Sequence, residues 1–153
     1  MWLIYLGVAI GVLIAFGNIL KQVMEERQAI ADAANPRRPL NEITKTLDSL
    51  RVSIWRADDK TKRVCQKLAA YDPRQWREKF DGNNEDPVPL RFQIHVLLEQ
   101  EVREICIWVD AGYKQMANPD INVDPAYRAE FEAKVQEVRD FLASVGNRQT
   151  RKN

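Results

Sequence analysis

The sequence predicts an all-α protein: an N-terminal single-pass transmembrane helix followed by a small bundle of three main antiparallel helices. Three observations predict this class. The first twenty residues contain no Lys, Arg, Asp or Glu. Three later stretches repeat apolar residues at intervals of three and four, the period of one helix face. Glycine and proline are sparse, 6 and 7 residues, so long runs between them are free of helix breakers.

The leader comes first. Leu, Ile, Val and Phe occupy eleven of the nineteen positions from Trp2 to Leu20. As a helix this stretch would rise about 28 Å, close to the ~30 Å hydrocarbon core of a bilayer. Each such residue favours insertion by roughly 0.3–0.6 kcal/mol. A cleaved signal peptide fits less well: no basic residue precedes the run, and no small-residue cleavage site follows it before Lys21-Gln-Val-Met-Glu-Glu-Arg27. A core helix of a soluble domain seldom needs nineteen uncharged positions.

Charge asymmetry gives the expected orientation. Lys21, Arg27, Arg37 and Arg38 all follow the span, so the N-terminus is expected outside and the C-terminal part in the cytoplasm, with an organellar inner membrane as a further possibility. Gly7, Gly11 and Ala15 share one stripe of the helix, where small residues let a second helix come close. They are the expected helix–helix contact in the membrane, to another membrane subunit or to a second copy. Lys21, Arg37 and Arg38 are candidates for touching lipid headgroups.

Residues 21–39 read as a stalk and linker. Lys21 to Ala34 is rich in helix formers, and Asn35-Pro-Arg-Arg-Pro39 stops the helix. Residues 40–146 form the expected bundle domain, and the basic residues 147–153 a short tail.

The first bundle helix is expected from Leu40 to Tyr71. Leu40, Ile43, Leu47, Leu50, Ile54, Ala57, Thr61, Val64, Leu68 and Tyr71 keep strict three-four spacing. The weak members Ala57 and Thr61, and flanks without full Glu/Lys complementarity, favour a long core helix over an intermolecular coiled coil. Val52 and Trp55 lie beside the stripe and would widen its apolar face.

Asp72-Pro73 reads as an N-cap and first helical position for a short helix carrying Trp76 and Phe80. Asp81 to Pro89 is a turn-rich acidic loop without the spacing of an EF-hand. Val88, Leu90, Phe92, Ile94 and Val96 alternate like a strand, but no second strand exists to pair with them. One long helix from about Leu90 to Met116 is expected instead, at the centre of the domain. Asp124-Pro125 opens the last helix, with Tyr127, Phe131, Val135, Val138, Leu142 and Val145 on one stripe and Gly146 at its C′ end.

Site chemistry is sparse. His95 is the single histidine, and no Cys-x-x-Cys, Glu-x-x-His, Gly-x-Ser-x-Gly or phosphate-cradling glycine motif occurs. Cys65 and Cys106 are far apart and fit buried thiols in a reducing compartment. A formal net charge of +1 does not suggest a nucleic-acid partner. No cofactor, metal or catalytic residue is expected. The functional expectation is a non-enzymatic membrane-anchored scaffold, tether or accessory subunit of a larger membrane complex. The alternative is a membrane-tethered stress or defence regulator whose bundle changes assembly on a signal.

Overall fold

In the computed structural model, residues 8, 11–24, 27, 35–82 and 88–146 are described. The chain divides into two compact units, Met1–Arg38 and Pro39–Asn153.

In the first unit, residues 8, 11–24 and 27 are helical and exposed. The stretch 11–24 corresponds to about 21 Å of helix, less than a bilayer core. Among the described residues no helix is long and apolar enough to cross a membrane. Most of the first ten positions of the expected span, and the rest of the stalk, lie outside the described residues. The observed architecture is all-helical; a crossing is not among its described features.

The second unit holds one apolar core. Its helices are α1 (Arg38–Ser53), α2 (Asp59–Ala70), α3 (Trp76–Asp81), α4 (Val96–Ala117) and α5 (Pro125–Ser144). Short 3-10 turns at Ile54–Arg56, Pro73–Gln75 and Leu90–Phe92 precede α2, α3 and α4. The linker ends earlier than its prolines suggested. Asn35 Oδ1 accepts from the Arg37 amide, and Arg38 and Pro39 already belong to the first turn of α1, where proline costs no hydrogen bond.

Two expected long helices are broken, which corrects the count of three. The run 40–71 divides at Ala57 and Asp58, both extended; the Asp58 carboxylate accepts from the Thr61 amide at 2.8 Å and starts α2 afresh. The run 90–116 divides at His95, which caps α4 through Nδ1 on the Leu97 amide. A capping side chain satisfies backbone donors that a continuous helix would have used, so the chain can turn there at little cost.

The breaks also change the packing order. Arg139 of α5 donates to the carbonyls of Ala69 and Tyr71 at 2.9 and 3.0 Å, and Gln66 packs on Gly146. These pairs make α2 and α5 antiparallel. Tyr113–Glu132 and Arg128–Met116 do the same for α4 and α5. It follows that α2 and α4 run parallel, not antiparallel as a simple three-helix hairpin would have it.

Burial follows the apolar stripes despite the breaks. Leu40, Ile43, Leu47, Leu50, Ile54, Ala57, Thr61, Val64 and Leu68 are all buried. So are the six stripe residues of the last helix, together with Phe141. Trp76 and Phe80 are fully buried, and the Trp76 indole donates to the Tyr71 carbonyl. Cys65 and Cys106 are free thiols inside this core.

Glycine matters at two places for different reasons. Gly82 ends α3 with φ +86°, and a side chain there would also run into Pro89. Gly112 faces the Phe131 ring so closely that a Cβ would overlap it. Gly146 follows the C-cap Val145, the C′ position expected from the sequence, without the positive φ that Gly82 has. Its small size serves the approach of Gln66.

Candidate functional site

Each bundle helix has an apolar stripe to bury, so large apolar side chains left exposed are the informative exceptions. In the bundle they gather where α1 ends and α4 begins. Val52 and Trp55 are 71% and 74% exposed, and Phe92, Val96 and Leu97 are 64%, 74% and 59% exposed. Val52 and Trp55 therefore do not widen the core face, which corrects their expected role. They sit past the edge of the stripe, Val52 within α1 and Trp55 in the 3-10 turn that follows it.

Hydrogen bonds join the segments that carry these residues. Ser49 and Ser53 of α1 both donate to Glu101 Oε1, at 2.9 and 3.0 Å. Leu97 lies one turn before Glu101 on the same face of α4. The His95 amide donates to the Thr61 hydroxyl at 2.9 Å, which holds the starts of α2 and α4 side by side. Phe92 and Val96 line a hollow of about 410 Å³ with Ile94, Arg91, Glu99 and Arg103. The apolar residues thus form a band around the N-terminal end of α4.

Charges of both signs surround these residues. The Arg56 guanidinium lies 5.0 Å from the Trp55 ring centroid, and that of Arg91 lies 4.5 Å from the Phe92 centroid. The carboxylates here have partners, and Asp58 and Asp59 remain exposed. Asp58 caps α2, and its bonds from Thr61 hold its pKa below the ordinary value. Asp59 pairs with Lys62, Glu99 with Arg103, and Glu104 accepts from Gln100. A neighbouring groove of about 790 Å³ has Lys60 and Lys67 on its wall and Tyr71, Val88 and Leu90 beneath, without a carboxylate among its described lining.

His95 serves as a helix cap. Among the described residues no group of His, Cys, Asp and Glu is placed to hold a metal ion. Of the acidic loop 81–89, residues 83–87 lie outside the described ones. The two thiols are far from nucleophilic: burial pushes Cys65 up to about 12 and Cys106 higher still.

The residues singled out from the sequence lie elsewhere. Gly7 is outside the described residues. Gly11 and Ala15 are exposed on the leader helix, with open space around Gly11. Lys21 is helical, Arg37 lies in the turn after Asn35, and Arg38 opens α1. The band was partly legible: Val52 and Trp55 stand off the 40–71 stripe, and an off-stripe tryptophan is a surface signal. Val96 and Leu97 lie off the buried face of α4, and Phe92 lies in the 3-10 turn before it. Comparison with protein-family models, curated proteins and solved structures finds no match.

Proposed function

We propose that this chain is a single-pass, membrane-anchored interaction protein without catalytic activity, acting as a scaffold, tether or accessory subunit of a larger membrane complex. The observation that carries this reading is the leader: twenty residues without a charged side chain, whose described apolar residues are exposed. Val8, Val12, Leu13, Ile14, Phe16, Ile19, Leu20, Val23 and Met24 are 44–70% exposed. At roughly 1.5–3 kcal/mol for each large side chain fully buried, covering them is worth on the order of 10 kcal/mol. A helix that is apolar on every side has no face to turn to water, so lipid is the natural cover. The charges that follow the leader favour a cytoplasmic side for the bundle domain by the positive-inside rule.

The test is fractionation of the full chain from native membranes. The expected result is retention in the membrane pellet after carbonate washing. In mild detergent the expected species is larger than a monomer, with co-purifying protein. Gly11→Ile should reduce any self-association that runs through the small-residue stripe. Recovery in the aqueous fraction, or a mature chain beginning beyond residue 20, would overturn the reading.

A further inference from the structure

We propose that His95 is a pH-sensitive latch on the first turn of α4: a neutral imidazole holds the turn, and uptake of a proton by the ring releases it. The latch works within the bundle domain and does not depend on the membrane anchor.

A helix begins with amides that have no partner inside it. At the start of α4 the Leu97 amide donates to His95 Nδ1 at 3.3 Å. Asp58 and Asp124 cap α2 and α5 with a carboxylate instead. A carboxylate keeps its charge down to about pH 4, whereas histidine is the side chain that ordinarily changes charge between about pH 5 and 8. Nδ1 accepts only while it carries no proton, so the neutral ring is in the Nε2–H form. Protonation turns Nδ1 into a donor facing another donor. It also puts a positive charge at the positive end of the α4 dipole. Both effects loosen the turn as pH falls. The ring is open to solvent protons, because His95 is exposed.

The surrounding charges give a protonated ring somewhere else to go. Asp58, just before α2, is the carboxylate whose charge interacts with that of His95. Its bonds from Thr61 hold its pKa below the ordinary value, so it stays ionised wherever histidine titrates. Lys60 also acts on Asp58 and offsets part of its pull. The other charges of the segments meeting here are engaged. Asp59 pairs with Lys62 and Glu99 with Arg103, while Arg56 lies on the Trp55 ring and Arg91 on the Phe92 ring. An imidazolium is therefore drawn from the Leu97 amide toward the start of α2.

The rest of the joint does not titrate. The His95 amide still donates to the Thr61 hydroxyl, and the His95 carbonyl still accepts from the Leu98 and Glu99 amides. Release is confined to the turn that carries Val96 and Leu97, which are 74% and 59% exposed. The pH thus sets how firmly two of the exposed apolar side chains are held.

The experiment uses the isotope-labelled full chain in mild-detergent micelles. Amide hydrogen exchange is followed at Leu97 and at Val138, which is buried in α5, at about pH 7.5 and about pH 5, each corrected for the intrinsic rate. The expected result is that protection at Leu97 falls about fivefold in acid, the size of a lost cap, while Val138 keeps its protection. The imidazole nitrogen shifts at neutral pH should report the Nε2–H form. His95→Asn supplies an acceptor that does not titrate, so it should protect Leu97 equally at both pH values. His95→Ala removes the acceptor and should leave Leu97 poorly protected at both. Val138 protection in each variant shows that the bundle is folded.

Equal protection of Leu97 at the two pH values in the parent chain would overturn the latch. So would the same acid loss in His95→Asn, or an Nδ1–H ring at neutral pH. Loss of protection at Val138 together with Leu97 would show that acid acts on the whole fold and not on this cap, which also overturns it.

Discussion

The backbone N–H of His95 donates to the Thr61 hydroxyl across 2.9 Å, and this bond joins the starting ends of α2 and α4. Thr61 is fully buried, and it stands at one of the weakest positions of the apolar stripe. Its hydroxyl is the acceptor for the amide that precedes α4. Thr61→Val keeps the shape and removes the acceptor. A buried donor left unsatisfied costs about 1–3 kcal/mol, so the urea midpoint should fall accordingly, while Thr61→Ser should retain most of the bond. Equal effects from Val and Ser would show that the hydroxyl is not what matters.

Gly112 on α4 and Phe131 on α5 form the tightest approach in the core. Any Cβ at position 112 overlaps the Phe131 ring, itself held edge-on by Tyr113 at 5.3 Å between centroids. Gly112→Ala should therefore destabilise by about 1–3 kcal/mol through overpacking, although alanine is the better helix former. Chemical unfolding followed by Trp76 fluorescence would measure it. Adding Phe131→Leu to the variant should recover part of the loss, since the smaller side chain makes room.

Asp110 of α4 accepts from Arg77 of α3 and from Lys114, both at 2.9 Å. Partial burial alone would raise its pKa, but the bonds from Lys114 and Arg77 outweigh it and hold the carboxyl below its ordinary value. A carboxylate depressed in the folded state stabilises fully above its unfolded pKa of about 3.9, and that contribution is lost as pH falls through the folded value. Asp110→Asn should lower stability at neutral pH by about 1 kcal/mol, modest because both cations are largely in solvent. The difference from the parent chain should shrink below about pH 4. A difference constant from pH 7 to pH 3 would contradict the assignment.

The two thiols give a further test of packing. Cys65 and Cys106 are buried, and burial pushes Cys65 up to about 12 and Cys106 higher. Neither should react with iodoacetamide near pH 8 while the chain is folded, and both should react on unfolding in urea. Rapid labelling of the native protein would mean that the interface between α2 and α4 opens readily.

Much of the fold is legible in the sequence because burial depends on local period. The stripe from Leu40 to Leu68 is buried along its length, and the last helix begins at Asp124-Pro125 as its cap and proline require. What the period does not reveal is continuity. A capped restart keeps the three-four spacing in register, so the breaks at Asp58 and His95 look like uninterrupted helix. The candidate surface was missed for another reason: Val96 and Leu97 lie within α4 on either reading, off the buried face that runs through Leu98, Val102, Ile105 and Val109.

By itself, then, the sequence determined the all-helical class, the uncharged leader, the identity of most core residues and the lack of any catalytic or metal motif. These depend on side-chain chemistry and short-range spacing. Only the tertiary structure decided where the long runs turn, that α2 runs parallel to α4, and which apolar side chains stay outside. Those outcomes depend on bonds between residues far apart in the chain, such as Thr61 with His95 and Arg139 with Tyr71, and no local pattern encodes them.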